Sequence, residues 1–456
     1  MSKTKSEYTC ANCGYKSPKW LGRCPVCQEW ESFGLQEGEK PGSPVPTREI
    51  TPIPINRTEH SKPERWPLGW KFTDRMLGGG LVPGSLILLG GSPGVGKSTL
   101  LLQWANALAQ QGKTVLYCSA EETEHQLQLR GTRLGVLNPQ ILVISENSLE
   151  AILNTITSTR PDTFVLDSIQ MVHSQDMGGP PGSLSQVREC TARLMEFTKQ
   201  NGITGIIVGH ITKEGTLAGP KSMEHMVDVV IQLEGERGGA TRILRVSKNR
   251  YGPTLELDVL TMTKRGLREV DNPSQLFLKD RTPNSVGSVV TASLEGNSPL
   301  LLEVQALVGR ENQGIPKRVV MGADLNRLTL VTAVLEKSAG LHLSSADIHL
   351  NIPGGIRLTE PSADLAMAMA MVSSFLKKPF LESVVFGEIG LGGEVRMVPG
   401  VIQRIQEALR MGFKTVVLPQ KNIDELNWKG SKQVRLIGVS RIEEAVEICH
   451  NASHRF

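Results

Sequence analysis

The chain has 456 residues, which is long enough for two or three domains with separate cores. Its formal net charge of +4 is too small to indicate a nucleic-acid-binding protein by itself, so any basic surface must be local. The longest apolar run, residues 363–376, is too short to cross a membrane and contains Asp364, and no N-terminal segment resembles a signal peptide. We therefore expect a soluble, cytoplasmic protein without a membrane partner.

Four of the seven cysteines lie in the first 27 residues, as two Cys-x-x-Cys pairs separated by ten residues. Each pair can place two thiolates on one side of a tight turn, and two pairs give tetrahedral S₄ coordination. Residues 1–34 are therefore predicted to form a zinc module, although iron also accepts such ligands and a redox role for the pairs remains open. The predicted ligands are Cys10, Cys13, Cys24 and Cys27. Side chains that could contact DNA or a protein, or only cover the module, are Lys16, Lys19, Trp20, Arg23 and Trp30.

Residues 35–65 are rich in Pro, Glu, Lys and Thr and have no apolar period, which predicts a flexible linker. From about residue 66, apolar runs alternate with amphipathic stretches, and this βαβ pattern predicts an α/β domain with a parallel sheet over residues 66–270. The predicted strands are residues 85–90, 114–119, 141–144, 163–166 and 203–209. Helices are predicted at residues 97–109 and 184–199.

The first predicted strand and helix flank a glycine-rich loop that fits the phosphate-binding pattern G-x-x-x-x-G-K-[ST]. Its glycines let backbone N–H groups point at phosphate oxygens, and the helix adds its positive N-terminal end. Lys97 is expected to reach the β- and γ-phosphates and Ser98 to bind Mg²⁺. The sequence therefore predicts a site for ATP with Mg²⁺, formed by Gly91, Ser92, Pro93, Gly94, Val95, Gly96, Lys97, Ser98 and Thr99.

Three later strands end in polar side chains that complete the predicted ATPase. Asp167 follows an apolar strand and is expected to hold Mg²⁺ through water. Glu121 takes the position at which ATPases of the RecA and DnaB class polarise the attacking water, although Glu122 could be the base instead, or both could be surface charges. His210 takes the position of a residue that senses the γ-phosphate and signals to a following loop, although a single strand-end histidine is often structural.

The segment after His210 predicts a loop whose basic side chains, Lys213 and Lys221, contact DNA phosphates without reading sequence. An ordinary solvated loop is the alternative.

The pentapeptide Lys248-Asn249-Arg250-Tyr251-Gly252, together with the cysteine pairs and the phosphate loop, resembles the bacterial RadA/Sms family of recombination and DNA-repair proteins over essentially the whole length. The family has K-N-R-F-G here, and Tyr251 keeps the aromatic ring. The resemblance implies a hexameric ring ATPase with a RecA-like core. Such a ring would bind single-stranded and branched DNA and promote strand exchange or branch migration with a RecA-type recombinase. Lys248 and Arg250 suit a cation supplied to a neighbouring subunit's γ-phosphate, but they could also hold DNA or form a structural ion pair.

Residues 271–456 resemble the proteolytic domain of Lon, through segments 347–353, 359–364 and 387–395. Ser362 falls on the nucleophile of that family, but Glu360 and Asp364 replace the flanking glycines and Ile402 falls on the catalytic lysine. Serine needs a neighbouring base, which isoleucine cannot be, and Arg404 stays protonated. We therefore expect a non-proteolytic α/β domain that assembles the ring. Weak candidates for contacts to duplex DNA are Arg310, Lys317, Arg318 and Arg327.

Three classes of function remain at this stage. The leading expectation is a DNA-dependent ATP hydrolase that moves on DNA during recombination and repair. A nucleotide-switched adaptor for recombinases is the second class, and an ATP-dependent serine protease is the third. DNA-stimulated turnover separates the first two, and a lysine able to reach Ser362 would favour the third.

Overall fold

The computed structural model describes residues 7–36, 54, 64–210, 222–235, 239–254, 256–296, 298–311, 315–426 and 434–451. They form two compact units, residues 1–254 with 260–269 and residues 255–259 with 270–456. Among these described residues no helix is long and apolar enough to span a membrane. The four-segment organisation predicted from the sequence remains a prediction.

The first unit begins with a small antiparallel sheet in the order β2-β1-β3. Its strands are β1 (Glu7–Cys10), β2 (Lys16–Ser17) and β3 (Phe33–Gln36). The buried apolar side chains here are Cys10, Cys24 and Phe33. So small a cluster cannot stabilise a fold by apolar burial alone, which is why the cysteines matter structurally.

The rest of the first unit is built on a nine-stranded sheet in the order β12-β11-β10-β9-β4-β8-β7-β5-β6. The strands are β4 (Leu86–Gly91), β5 (Val115–Ser119), β6 (Ile141–Ser145), β7 (Thr163–Asp167), β8 (Thr204–His210), β9 (Val229–Glu234), β10 (Thr241–Asn249), β11 (Leu257–Thr263) and β12 (Gly266–Glu269). The helices are α1 (Lys71–Met76), α2 (Lys97–Gln110), α3 (Glu124–Leu134), α4 (Leu149–Thr159), α5 (Leu184–Asn201) and α6 (Ser222–Met226).

The central strands are parallel, as the βαβ pattern predicts. Strand β4 is buried along its whole length, whereas β6 is half-exposed, as expected of an edge strand. Each face of the sheet carries its own apolar cluster, one of which includes Trp104 of α2 and the other Leu194 of α5. The sequence analysis did not predict the antiparallel extension, in which β10 pairs with β9 and β12 with β11.

The second unit contains a seven-stranded mixed sheet in the order β15-β16-β14-β13-β17-β20-β21 and a separate pair, β18-β19. Its strands are β13 (Ser288–Glu295), β14 (Ser298–Glu311), β15 (Arg318–Met321), β16 (Ala346–Asn351), β17 (Val384–Val385), β18 (Glu388–Ile389), β19 (Val395–Arg396), β20 (Thr415–Pro419) and β21 (Arg435–Val439). Its helices are α7 (Pro273–Leu278), α8 (Leu325–Ala339), α9 (Asp364–Leu376), α10 (Val401–Arg410), α11 (Gln420–Asp424) and α12 (Ile442–Asn451).

Helix α9 is the centre of the second unit, because its residues from Asp364 to Ser374 are all buried. Alternating alanine and methionine give it an apolar surface on every side, which is the pattern of a fully buried helix. Pro361 fixes a 3₁₀ turn over Pro361–Ala363, and regular α-helix starts at Asp364.

Candidate nucleotide, metal and Lon-like sites

The predicted phosphate loop connects β4 to α2, the setting that its function requires. Gly94 and Gly96 have φ angles of +78° and +115°, which favour glycine. A Cβ on Gly96 would also lie 2.7 Å from Cε of Met262, so the close packing excludes a side chain. The loop is therefore preorganised to turn backbone N–H groups inward.

Lys97 extends across this loop. Its Nζ donates hydrogen bonds to the carbonyls of Gly91 at 2.9 Å and Ser92 at 3.1 Å, and lies 3.3 Å from Nδ1 of His210. Burial lowers the pKa of Lys97, and the carboxylates of Asp167 and Glu121 oppose that shift. The predicted phosphate ligand is thus held by the loop's own carbonyls.

A chain of polar contacts runs from Lys97 to the predicted base. Nε2 of His210 lies 3.1 Å from Oε1 of Glu121, which also accepts a hydrogen bond from Oγ of Ser168 at 2.5 Å. The His210 contact, the Ser168 hydroxyl and the Lys97 charge outweigh partial burial and lower the pKa of Glu121 to about 2. Glu121 is therefore ionised at neutral pH.

The neighbouring Glu122 is engaged elsewhere, since Arg130 of α3 donates to its Oε1 at 2.5 Å. Of the two glutamates considered for the base, it is Glu121 that joins Lys97 and His210. The structure thus separates the two carboxylates, and only Glu121 faces the phosphate loop's lysine.

Asp167 ends β7 next to Ser119 of β5 and is largely buried. Its Oδ2 accepts a hydrogen bond from the hydroxyl of Tyr117 at 2.8 Å. Ser98, the other predicted Mg²⁺ ligand, stands second in α2. A serine hydroxyl and a carboxylate are the oxygen donors that Mg²⁺ uses in phosphate-loop sites, so the chemistry of these residues fits the ion.

Three residues that support this site were not found from the sequence. They are Ser168, which donates to Glu121, Tyr117, and Arg242 of β10, whose Nε donates to the carbonyl of Val95 in the phosphate loop at 2.7 Å. Arg242 also donates to the carbonyls of Gly239 and Thr241. Arg242 and Val95 are 147 positions apart in the sequence, so no local motif predicts their contact.

The pentapeptide and the phosphate loop of the same chain lie at opposite ends of nearby strands of the sheet. Asn249 pairs with Val229, which pairs with Ile87, whereas Gly91 pairs with Leu233. Val229 and Leu233 are four positions apart, which corresponds to about 13 Å along the strand. Lys248 is therefore remote from the Lys97 of its own chain.

Within its own chain, Nζ of Lys248 donates to the carbonyls of Glu224, His225 and Val227 at the end of α6. Arg250 lies 3.7 Å from the buried Asp228 and is half-exposed. Lys213 and Lys221, the predicted DNA contacts, lie outside the described residues. Of the predicted coupling residues that the structure describes, His210 joins the nucleotide site, whereas Lys248 and Arg250 contact other parts of the chain.

The four N-terminal cysteines come together as the spacing predicts. Their Sγ atoms lie within 4.8 Å of one another, with Cys10 to Cys27 at 3.6 Å and Cys13 to Cys24 at 3.4 Å. A tetrahedral zinc site with Zn–S bonds of about 2.3 Å has sulfur atoms about 3.8 Å apart, so the cluster fits the ion.

The two Cys-x-x-Cys pairs end in the same kind of turn, which the sequence predicts for the first pair from its glycine but not for the second. Gly14 donates its N–H to the carbonyl of Cys10 and Gln28 to that of Cys24, and these two residues have φ angles of +73° and +61°. Each Cys-x-x-Cys pair is thus followed by a left-handed residue, a glycine in the first pair and a glutamine in the second.

In the second unit, the acidic residues two positions before and after Ser362 are both paired with arginines. Both oxygens of Glu360 pair with Arg404, at 2.9 and 2.8 Å, and Asp364 pairs in the same two-pronged way with Arg327. Each of the two carboxylates is therefore neutralised by an arginine.

The neighbouring positions do not supply a base. Ile402 is partly exposed on α10, and Lys377 lies beyond the end of α9.

Two of the weak candidates for DNA contacts also have structural roles. Arg318 donates to backbone carbonyls that include that of Leu343, and Arg327 pairs with Asp364.

Family models match three regions of the chain. An AAA domain matches residues 71–216, the C-terminal proteolytic domain of Lon protease (S16) matches residues 326–452, and a rubredoxin metal binding domain matches residues 8–34. With the sites above, these matches define a RecA-like P-loop ATPase that carries an N-terminal four-cysteine zinc module and a Lon-like α/β domain.

Whole-length relatives identify the family. The DNA repair protein RadA of Bacillus subtilis is 45% identical over 98% of this chain and 99% of its own length. The same protein from Listeria monocytogenes is 45% identical over 98% of each chain. The chain belongs to the RadA family of DNA repair proteins. A solved KaiC-like protein from Pyrococcus horikoshii is 19% identical, overlaps 46% of this chain and 99% of its own, and has a TM-score of 0.39.

Proposed function

We propose that this chain is an ATP-driven motor that acts on single-stranded and branched DNA and promotes branch migration or strand exchange with a RecA-type recombinase. The observation that carries the proposal is the position of His210. It joins Lys97 of the phosphate loop to Glu121, and it is the residue directly before the segment that holds Lys213 and Lys221. One side chain thus connects the nucleotide site to the predicted DNA loop.

The residues of the site have distinct roles in ATP hydrolysis. Ser98 and Asp167 would hold Mg²⁺, which when bound neutralises phosphate charge. Lys97 binds the β- and γ-phosphates through its Nζ. Glu121 is ionised, so it accepts hydrogen bonds from an attacking water and orients that water toward the γ-phosphate.

Binding of the triphosphate changes the contacts of Lys97. Its Nζ donates to two loop carbonyls and lies against His210, and phosphate oxygens compete for the same protons because charge-assisted bonds are stronger than those to neutral carbonyls. Release of Lys97 then frees His210, the residue that directly precedes the segment with the predicted DNA contacts. This exchange supplies a route by which nucleotide state alters DNA binding.

We also propose that the chains assemble into a hexameric ring in which Lys248 and Arg250 serve the nucleotide of a neighbouring subunit. The distance between the pentapeptide and the phosphate loop of the same chain supports action in trans. Lys248 would then exchange backbone carbonyls for a phosphate. Arg250 lies near the buried Asp228 but is itself half-exposed, so its guanidinium is available at the surface.

The decisive experiment measures ATP hydrolysis by the full chain with and without single-stranded DNA, with Lys97→Ala as the blank. We expect strong stimulation by DNA that is lost in the blank. His210→Ala should still bind nucleotide and DNA separately but lose most of the stimulation. His125→Ala, on the exposed surface of α3, is the matched control and should behave as the unaltered chain does.

Turnover that is indifferent to DNA would refute the motor and favour a nucleotide-switched adaptor with a protein activator. Normal DNA stimulation in His210→Ala would refute the coupling route while leaving the motor intact.

We further propose that the second unit is a non-proteolytic scaffold of the ring. The pairing of Glu360 with Arg404 and the isoleucine at position 402 support this, because Ser362 lacks a lysine base. Ile402→Lys should not produce casein cleavage, since the arginine pairs still occupy the surroundings of Ser362. ATP-dependent cleavage by the unaltered chain that is lost in Ser362→Ala would overturn the scaffold assignment.

A further inference from the structure

Among the described residues, the side chain that donates a hydrogen bond to the carboxylate of Asp167 is Tyr117, to which the sequence motifs give no role. Tyr117 stands on β5, opposite Val165 of β7, and Asp167 follows two residues later on β7. The distance from the tyrosine hydroxyl to Oδ2 of Asp167 is 2.8 Å. A buried side chain therefore touches the carboxylate that is predicted to hold Mg²⁺.

Burial fixes this hydroxyl in position. Tyr117 has no exposed surface, and its ring packs in the cluster that contains Leu89 of β4 and Leu101 of α2. A tyrosine hydroxyl donates and a carboxylate oxygen accepts, so the contact at 2.8 Å is a hydrogen bond from Tyr117 to Asp167.

The donated bond decides which part of the carboxylate is free. A carboxylate rotates about its last side-chain bond unless a partner holds it, and each oxygen has two acceptor positions. Tyr117 occupies one position on Oδ2 and holds the plane of the group. The other acceptor positions of the Asp167 carboxylate therefore point in fixed directions, because the group no longer rotates freely.

We propose that Tyr117 is a positioning residue for the Mg²⁺ site, because its hydroxyl orients Asp167 to receive the ion's water. Partners in the second layer around a metal ion commonly set the orientation of its ligands. The inference rests on the proposed nucleotide and Mg²⁺ site and deepens it. On this proposal Tyr117, a buried residue of β5, acts in the Mg²⁺ site in addition to packing in the core.

The test is a binding measurement, which does not depend on turnover. The full chain and Tyr117→Phe are titrated with Mg²⁺ in the presence of a fluorescent, non-hydrolysable ATP analogue. We expect the Mg²⁺ concentration for half-saturation to rise about 3- to 10-fold in Tyr117→Phe, below the larger losses seen where a second-layer partner holds a direct ligand. Affinity for the analogue in EDTA should not change.

The matched control is Thr191→Val, which removes another buried hydroxyl of the same unit. Thr191 on α5 donates to the carbonyl of Val187 at 2.7 Å and does not contact the site. Its Mg²⁺ titration should superimpose on that of the unaltered chain. A rise equal to that of Tyr117→Phe would show that loss of any buried hydroxyl produces the effect, and would overturn the inference.

A second comparison applies if Tyr117→Phe lowers the thermal unfolding temperature more than the control does. In an Asp167→Asn background the carboxylate is already gone, so adding Tyr117→Phe should leave the Mg²⁺ titration unchanged. A further rise there, or an unchanged titration in the single variant, overturns the positioning role. If the unaltered chain itself binds the analogue independently of Mg²⁺, the proposed site fails and not merely the role of Tyr117.

Discussion

The ion pair between Arg404 and Glu360 provides a stringent test of how the second unit is stabilised. The Arg404 side chain has no exposed surface and that of Glu360 is 21% exposed. Arg404 also donates to the carbonyls of Pro399 and Ala292. Arg404→Met removes the cation and leaves both the carboxylate and the two carbonyls without their donors.

The expected cost follows from this geometry. Removing one partner of a buried ion pair destabilises a protein by about 3–5 kcal/mol, and the residual exposure of Glu360 places the loss at about 3–4 kcal/mol. For a unit of this size that loss corresponds to a fall of about 6–16 °C in the unfolding temperature. Arg396→Met is the control, since Arg396 is exposed and pairs with an exposed Glu394, and it should cause no measurable change.

The measurement is thermal unfolding of the full chain, with hydrogen exchange over residues 288–311 to assign the transition to the second unit. A double variant, Arg404→Met with Glu360→Leu, should recover most of the loss because it removes both charges. A loss below about 1 kcal/mol in Arg404→Met, or strictly additive losses in the double variant, would refute the argument that the buried charges depend on each other.

The pH dependence gives a further check. Burial alone would raise the pKa of Glu360, but the hydrogen bonds and charge of Arg404 hold it below its ordinary value of 4.5. A lowered pKa contributes stability above pH 4.5 that is lost as pH falls through the folded-state value. The difference between the unaltered chain and Arg404→Met should therefore be largest at neutral pH and should shrink in acid, where Glu360 becomes protonated.

Three other predictions concern the first unit. Lys248→Ala should leave nucleotide binding nearly intact and impair turnover or strand migration, and normal values for both in ATPase and branch-migration assays would exclude a role in trans. His210→Ala should raise the pKa of Glu121 from about 2 and move the acid limb of the ATPase pH profile upward, because the largest cause of the lowered pKa is lost; an unmoved limb would argue against Glu121 as the base. Cys13→Ser should lose bound zinc by elemental analysis and unfold residues 7–36, detected through Trp20 and Trp30 fluorescence, and a retained zinc equivalent would refute the four-ligand site.

Much of the nucleotide site could be predicted because its chemistry is local in sequence. The phosphate loop is contiguous, and Glu121, Asp167 and His210 each follow an apolar strand, so a parallel sheet brings all three strand ends to one edge. The sequence favours Glu121 as the base by its position but leaves Glu122 as an alternative. The contact that separates the two is made by Arg130, eight residues away from Glu122 on α3, which pairs with Glu122 and leaves Glu121 to His210.

Residues that support the site from a distance could not be predicted. Arg242 reaches the phosphate loop only because β10 folds back beside β9, and that antiparallel hairpin has no motif of its own. Tyr117 reads as an ordinary core residue of β5. Its hydroxyl reaches the carboxylate because the strand register sets Tyr117 opposite Val165, two residues before Asp167.

In the Lon-like unit, the acids that stand where the Lon family has glycines also contribute to stability. Glu360 ties the segment before α9 to α10 through Arg404, and Asp364 ties α9 to α8 through Arg327. Each acid therefore joins two elements around the position of Ser362. Reverting either acid to glycine would leave a buried or half-buried arginine without its partner, so the change would destabilise the unit before it could reopen the site. On this argument the two acids brace the second unit around Ser362, because they join α10 and α8 to the segment that begins α9.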